Sequence, residues 1–123
     1  MILVDTSVWV SHLRNGEIGL TALLNEGHVV CHSFIIGELA CGNLKNRSEI
    51  LSLFQALPMA VQAEHEEVME FIERHRLMGK GLGYIDVHLL ASAVLTDVSL
   101  WTFDRRLIEA ASKLNKHYTP SHS

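Results

Sequence analysis

The chain begins with a short apolar run that stops at a carboxylate. Residues 1–4 are Met, Ile, Leu and Val, and Asp5, Thr6 and Ser7 follow directly. A continuous apolar run of this kind is typical of a strand buried on both faces of a parallel sheet. In such sheets the functional crevice lies beyond the carboxyl ends of the strands. We therefore expect Asp5 to point into a crevice, together with any acid that later strands or helix starts bring to the same edge.

Size and composition predict one packed domain over residues 1–123. The chain has 123 residues, of which 48% are hydrophobic and 20% are charged, and this leaves no room for a second domain. The apolar start is too short for a secretory signal, and the longest uncharged stretch, residues 50–63, is shorter than the roughly 20 residues of a membrane-spanning helix. We expect a soluble, cytoplasmic protein with no membrane partner.

Charge, cysteines and histidines narrow the functional classes further. The formal net charge of −4 argues against long-range attraction of nucleic acid, although it permits local basic patches. Cys31 and Cys41 lack the paired short spacing of a zinc or redox motif, so we predict two reduced core residues. His28 and His32 flank a predicted strand, where ordinary hydrogen bonds are a more frequent role than metal binding.

Strand and helix patterns alternate along the chain. Buried strands are predicted over 1–4, 28–31 and 98–101, with brief strands at 59–61 and 117–119. Helical spacing and capping residues predict helices over 6–14, 20–24, 33–40, 46–57, 64–78, 84–94 and 105–114, with Ser33 as the cap of the third. Alternation with short turns indicates an α/β sandwich with a mostly parallel sheet of four to five strands.

Three further acids fall where this architecture brings them to the edge that carries Asp5. Glu38 lies in the helix after the second strand, Asp86 in the first turn of its helix, and Asp104 after the strand over 98–101. Gathered carboxylates raise one another's pKa unless a cation neutralises them. Mg²⁺ or Mn²⁺ is the natural cation, because hard divalent ions choose oxygen ligands. An acid cluster around such a metal indicates metal-dependent nuclease chemistry.

Each acid also has a purely structural interpretation. Asp86 favours a helix amino terminus and Asp104 is a good helix cap, so these alternatives stay open. Glu38 on an otherwise apolar helix is harder to explain in this way. Asp5 at the end of a buried strand is harder still, because burying a lone carboxylate is costly.

Four short segments carry a family resemblance. They are V-D-T-S at 4–7, G-E-L-A at 37–40, Y-I-D-V-H-L-L-A-S-A at 84–93 and W-T-F-D-R-R-L at 101–107. Together and in this order they resemble the PIN-domain proteins, and among them the VapC toxins of toxin-antitoxin pairs. The resemblance implies a PIN-like three-layer α/β/α sandwich and a toxic Mg²⁺-dependent endoribonuclease. It also implies a cognate VapB-type antitoxin as partner, and a homodimer.

The same resemblance implies roles for individual residues. The catalytic acids would be Asp5, Glu38, Asp86 and Asp104, with Thr6 and Thr102 as hydroxyls that orient them. Asp5 and Asp86 are expected to contact the metal directly, with Glu38 and Asp104 acting through water or at a second metal.

Surface features suggest how partners bind. Eight basic residues near helix ends and loops are candidates for RNA-backbone contacts, although charge complementation of helix ends explains each of them equally well: Arg14, Lys45, Arg47, Arg74, Arg76, Lys80, Arg105 and Arg106. Trp9 and Leu13 suggest an apolar surface for an antitoxin or a second copy, with ordinary core packing as the alternative. The glycine-rich loop 79–83 lacks the spacing of a P-loop and is predicted to form a lip beside the site.

Other functional classes fit less well. A phosphoryl-receiver domain needs an adjacent acidic pair after the first strand, where this chain has Asp5 followed by hydroxyls. A phosphatase of the haloacid dehalogenase type needs a second aspartate at the position of Ser7. The complete acid set argues against a PIN-like module that binds RNA without cutting it. A non-toxin PIN nuclease of RNA processing remains the main alternative.

Overall fold

The structure, a computed structural model, describes residues 1–120. Its sheet contains three parallel strands in the order β2-β1-β3: β1 (Ile2–Val4), β2 (Val29–Val30) and β3 (Ser99–Trp101). Ile2 pairs with Val29 on one side and with Ser99 on the other. The amino-terminal strand is therefore the central strand, and the predicted parallel α/β architecture is confirmed.

The two brief outer strands of the prediction are shorter than expected. Met59 forms a single parallel bridge to Cys31, directly after β2, and His117 forms one to Leu100, the middle residue of β3. Each bridge is held by two backbone hydrogen bonds: Cys31 to Pro58 and Ala60, and Leu100 to Lys116 and Tyr118. In the described part of the chain the sheet thus has three strands with one bridge at each edge, rather than four or five full strands.

Seven helices accompany the sheet in residues 1–120, and none of them is long and apolar enough to cross a membrane. They are α1 (Thr6–Asn15), α2 (Ile18–Asn25), α3 (Ser33–Ala40), α4 (Arg47–Gln55), α5 (His65–His75), α6 (Tyr84–Thr96) and α7 (Arg105–Lys113). One group packs α1 on α3 and α3 on α4, and a second group packs α6 on α5, α7 and β3. Leu3 and Val4 point to opposite faces of the sheet and both are fully buried, so both faces are covered.

His32, not Ser33, caps the amino terminus of α3. Its Nδ1 accepts the backbone N–H of Phe34 at 3.0 Å, while the Ser33 hydroxyl donates to Gln62 instead. The other ring nitrogen, Nε2, lies 3.0 Å from the hydroxyl of Ser92 in α6. Burial, and then the neighbouring His88, lower the pKa of His32 to about 4, so the ring is neutral and Nε2 carries its proton.

The cysteine prediction is half right. Cys31 is fully buried, and burial raises the pKa of its thiol to about 11. Cys41 is exposed, because it lies at the carboxyl end of α3, beyond the last core residue of that helix, Leu39. Both histidines have ordinary polar partners. Nδ1 of His28 lies 3.3 Å from Oε2 of Glu26, and the His32 ring accepts the hydrogen bond of a helix cap.

Candidate active site

Asp5 lies at the junction of β1 and α1, and two hydroxyls hold its carboxylate. Its backbone N–H donates to the carbonyl of Trp101 at 2.9 Å, which aligns the ends of β1 and β3. Its Oδ2 accepts hydrogen bonds from Ser7 Oγ and Thr102 Oγ1, each at 2.8 Å. Both hydroxyls bind the same oxygen, so they orient the carboxylate without using Oδ1.

The same two hydroxyls connect the starts of α1 and α7. Ser7 Oγ accepts the N–H of Phe103 at 3.1 Å, and Thr102 Oγ1 accepts the N–H of Asp104 at 3.1 Å. Thr102 was predicted to orient the acids and does contact Asp5. The part played by Ser7 was not predicted, although a hydroxyl two residues after an acid, in the first turn of a helix, was the available signal.

Asp104 is both a helix cap and an exposed acid at this edge. Its Oδ1 accepts the backbone N–H groups of Arg106 at 2.9 Å and Leu107 at 3.2 Å. The structural alternative considered for Asp104 is therefore present in the structure. It leaves Oδ2 of the same carboxylate outside these two bonds.

Asp86 occupies the first turn of α6 and shares an electrostatic environment with two other acids. Its Oδ2 accepts the N–H of Gly83 at 2.9 Å, as expected of an acid at a helix start. Burial raises the pKa of Asp86, the Gly83 N–H opposes this, and the negative charges of Asp5 and Asp104 raise it further. The structure therefore places Asp5 and Asp104 near enough to Asp86 for their charges to act on it.

Glu38 joins this group through Thr6. The Thr6 hydroxyl donates to Oε1 of Glu38 at 2.7 Å, which ties α3 to the first residue of α1, directly after Asp5. Glu38 is exposed, so one side of its carboxylate faces solvent beside the acid edge. Thr6 thus orients Glu38, while Thr102 orients Asp5.

The donor set fits a divalent cation that keeps much of its water. Within residues 1–120, no three His, Cys, Asp or Glu side chains are close enough to enclose a metal by themselves. Mg²⁺ usually binds through one or two carboxylates and retains several waters, so an open edge suits it better than a closed cage would. The charge repulsion that raises the pKa of Asp86 is what such a cation would relieve.

A groove of about 580 Å³ begins at Thr6 and Glu38 and runs between α1, α3 and α4. Its walls are mainly apolar, with two cations at the rim: Val10, Leu13, Leu39, Leu44, Ile50, Arg14 and Lys45. Leu13 is 39% exposed and belongs to this groove, as predicted. Trp9 is only 3% exposed and packs edge-on against Phe54, with 4.6 Å between the ring centroids. Trp9 is therefore a core residue, the alternative to a place on the apolar surface.

Residues 2–113 match the family model of the PIN domain. The chain belongs to the PIN-domain family. This PIN domain is 43% identical over 114 residues to Ribonuclease VapC32 of Mycobacterium tuberculosis, with 92% of each chain covered. The matched range includes all four segments that carried the resemblance, so the predicted family is confirmed.

Solved structures support the PIN fold. Superposition on the crystal structure of FitAcB from Neisseria gonorrhoeae gives a TM-score of 0.69, at 21% identity and with 100% of both chains covered. The crystal structure of PAE2754 from Pyrobaculum aerophilum gives 0.60, at 16% identity, covering 89% of this chain and 78% of that one. At these identities the likeness concerns the fold alone.

Proposed function

We propose that this PIN-domain protein is a VapC-type toxin, an endoribonuclease that hydrolyses RNA phosphodiester bonds with Mg²⁺, or alternatively Mn²⁺, as cofactor. The observation that carries the proposal is that Thr102 joins Asp5 to the start of the helix that bears Asp104, with Asp86 near enough for both charges to act on it. The 43% identity to a protein named as a ribonuclease supports the reaction class.

Asp5 and Asp86 are proposed to hold the metal directly, with Glu38 and Asp104 acting through water or at a second, weaker metal. When bound, the cation supplies Lewis-acid stabilisation of the phosphoryl oxygens and makes a water more acidic. The chain's own contribution is orientation. Ser7 and Thr102 fix Asp5, Thr6 fixes Glu38, and the first turn of α7 fixes Asp104.

This orientation matters because little rearrangement is then needed when substrate binds. Asp5, Asp86 and Asp104 lie at a strand end or a helix start, and Glu38 lies in the second turn of α3, so all four are on regular elements of the fold. Preorganised groups stabilise developing charge more effectively than mobile ones do. A polyanionic substrate would be repelled by the bare acids, so RNA binding at this edge should depend on the cation.

The groove beside Thr6 and Glu38 is the proposed site of a VapB-type antitoxin. Its apolar walls suit one face of a helix or an extended segment, and it ends at the acid edge, where a cationic side chain would be stabilised. An occupant of this groove would therefore reach the acids and block access to them. We also propose a homodimer, as the resemblance implies, and a cytoplasmic location.

Cleavage assays test the catalytic proposal directly. Purified protein should cut single-stranded or loop RNA only when Mg²⁺ or Mn²⁺ is present, and Asp5→Asn and Asp86→Asn should abolish cleavage without loss of fold. Glu70→Gln is the matched control, because it removes an exposed carboxylate from α5 by the same chemistry. Wild-type cleavage rates in either aspartate variant would place the active site elsewhere.

Growth assays test the toxin proposal separately. Expression of the chain alone should arrest growth, and co-expression of a short antitoxin gene found beside it should restore growth. Harmless expression of active protein, with no such neighbouring gene, would favour the alternative of a non-toxin PIN nuclease of RNA processing. Light scattering during size-exclusion chromatography gives the oligomeric state, and a monomer would contradict the proposed dimer.

A further inference from the structure

A second cavity, of about 360 Å³, lies between the end of α5, the glycine-rich loop and α7. Four of the side chains that line it are basic, with one carboxylate and one imidazole among the remainder: Arg76, Lys80, Arg106, Lys113, Glu109 and His75. Leu77 and Ala110 form a buried apolar floor. In a chain with a formal net charge of −4, this is a local concentration of positive charge.

Neutralisation within the protein does not account for this concentration. Among residues 1–120 the salt bridges within 4.0 Å are His28 with Glu26 and Lys116 with Asp97, and neither involves a residue of the basic cavity. The four basic side chains are exposed at its rim. Their charges are therefore available to a ligand.

Complementation of helix ends explains only part of the cluster. Lys113 lies in the last turn of α7 and Arg76 is the residue that ends α5, and cations are favoured at both positions. Arg106, however, is the second residue of α7, where the helix dipole disfavours a cation. Lys80 lies on the loop between α5 and α6, outside any helix. These two residues need another explanation.

The loop packs tightly on Arg106. A Cβ atom placed on Gly81 would lie 2.7 Å from both Cδ and Nη1 of the Arg106 side chain, and the φ of Gly81 is +77°. The positive φ favours glycine at this position, and the absence of a Cβ atom leaves room for the Arg106 side chain. One side of the Arg106 side chain therefore packs against the glycine-rich loop, while the residue stays exposed on its other side.

Arg106 also connects the basic cavity to the acid edge. Its backbone N–H donates to Oδ1 of Asp104 at 2.9 Å, while its side chain lines the cavity. A strand of RNA with one phosphate at the acids would thus pass next to positive charges within the reach of a single side chain. Arginine and lysine supply most of the phosphate contacts in nucleic-acid complexes.

We propose that this basic cavity binds a backbone phosphate of the RNA substrate that neighbours the phosphate being cleaved, with Arg106 and Lys80 as its principal contacts. This inference rests on the proposed ribonuclease function and names the part of the substrate that the site recognises beyond the scissile bond. Contacts of this kind position the strand and are independent of base sequence.

The test measures RNA binding without cleavage. Wild-type protein is titrated with a fluorescent single-stranded RNA oligonucleotide over a range of salt concentrations, at fixed Ca²⁺, a hard cation that also chooses oxygen ligands and replaces the Mg²⁺ or Mn²⁺ that cleavage requires. Arg106→Ala and Lys80→Ala are added singly and together to this background. The control is Arg74→Ala. Arg74 was also a candidate from the sequence, but it does not line the basic cavity, and its place in the last turn of α5 fits the alternative role of complementing a helix end.

The expected result is a several-fold loss of affinity in each cavity variant. A plot of the logarithm of the RNA association constant against the logarithm of the salt concentration has a negative slope. Its magnitude should decrease by about 0.7 for each phosphate contact that a variant loses. Arg106→Lys should retain most of the slope, because it keeps the charge, and Arg74→Ala should behave like the parent protein. Melting curves of the variants identify any loss that comes from unfolding.

Three results would overturn the proposal. Unchanged affinity in the double variant would show that the basic cavity does not contact RNA. An equal loss in Arg74→Ala would indicate a diffuse surface potential instead of a site. Tight binding of inorganic phosphate alone, with no difference in RNA affinity between parent and variants, would assign the cavity to a free anion. Because none of these measurements requires turnover, failure of wild-type protein to cleave RNA would be read separately as failure of the ribonuclease proposal.

Discussion

Thr102 Oγ1 donates a hydrogen bond to Oδ2 of Asp5 at 2.8 Å across 97 positions of sequence. Through the same oxygen, Thr102 accepts the backbone N–H of Asp104 at 3.1 Å. The threonine is 2% exposed, so water does not readily replace either bond. One buried hydroxyl thus holds the first acid of the candidate site and the start of the helix that presents the last.

Thr102→Val should therefore lower both stability and RNA cleavage. The substitution removes the donor to Asp5 and leaves the N–H of Asp104 without its acceptor, at an expected cost of about 1–3 kcal/mol in the free energy of unfolding. Urea unfolding and a cleavage assay measure the two effects. Thr102→Ser retains the hydroxyl and should keep most of the activity; equal activity in Thr102→Val and wild type would exclude an orienting role.

The stability of wild type should depend on pH through Asp86. Burial and the charges of Asp5 and Asp104 raise its folded-state pKa above the ordinary value of 3.8, so between these values the folded protein binds more protons than the unfolded chain. This contribution to the free energy of unfolding falls as pH rises through that window. Asp86→Asn should melt higher than wild type above the window, and the difference should shrink below it. A lower melting temperature for Asp86→Asn at neutral pH would contradict the proposal that burial and the charges of Asp5 and Asp104 destabilise the ionised Asp86.

A divalent cation should stabilise the folded protein even without RNA. A ligand present at a hundred times its dissociation constant adds about 2.7 kcal/mol to the free energy of unfolding if it binds only the folded state. Thermal unfolding with increasing Mn²⁺ should therefore show a rising melting temperature in wild type and in Glu70→Gln. The shift should be strongly reduced in Asp5→Asn and Asp86→Asn. A shift that survives in both aspartate variants would place the metal at another site.

Two substitutions at Asp104 separate its helix-capping role from its charge. Asp104→Ala removes the acceptor for the N–H groups of Arg106 and Leu107, and the loss of such a cap costs about 0.5–2 kcal/mol. Asp104→Asn keeps a capping oxygen and should melt no lower than wild type while weakening metal affinity. Chemical denaturation and Mn²⁺ titration of both variants make the comparison. Equal stability of the two variants would show that the cap contributes little.

Glu38→Gln is expected to melt no lower than wild type and to bind Mn²⁺ more weakly, as predicted for Asp104→Asn. Its amide oxygen can still accept the hydrogen bond from Thr6, so the fold should be unaffected.

Local patterns in the sequence predicted the elements of the fold well. The apolar run before Asp5 places β1, and helical spacing places α6 and α7 close to their observed bounds. The acids could be assigned to one edge, because parallel strands bring their carboxyl ends together. These predictions need only the chain direction and the periodicity of apolar residues.

Predictions that depended on distant contacts were less complete. His32 caps α3 while its other nitrogen meets Ser92, 60 positions away, and no local pattern carries that relationship. The burial of Trp9 was left open because Val8, Trp9 and Val10 are all apolar and do not define one face of α1. The outer strands were overestimated for a related reason, since the length of a strand depends on its partner as well as on its own residues.

The pairing of β1 with β3 also determines when the site can form during synthesis. The central strand, Ile2–Val4, is made long before its partners on one side, Ser99–Trp101. Thr102, which orients Asp5, and Asp104 follow later still. A growing chain, or a fragment that ends before residue 99, therefore lacks a complete acid edge, so nuclease activity would be acquired only after residues 99–104 have been made and have folded against β1.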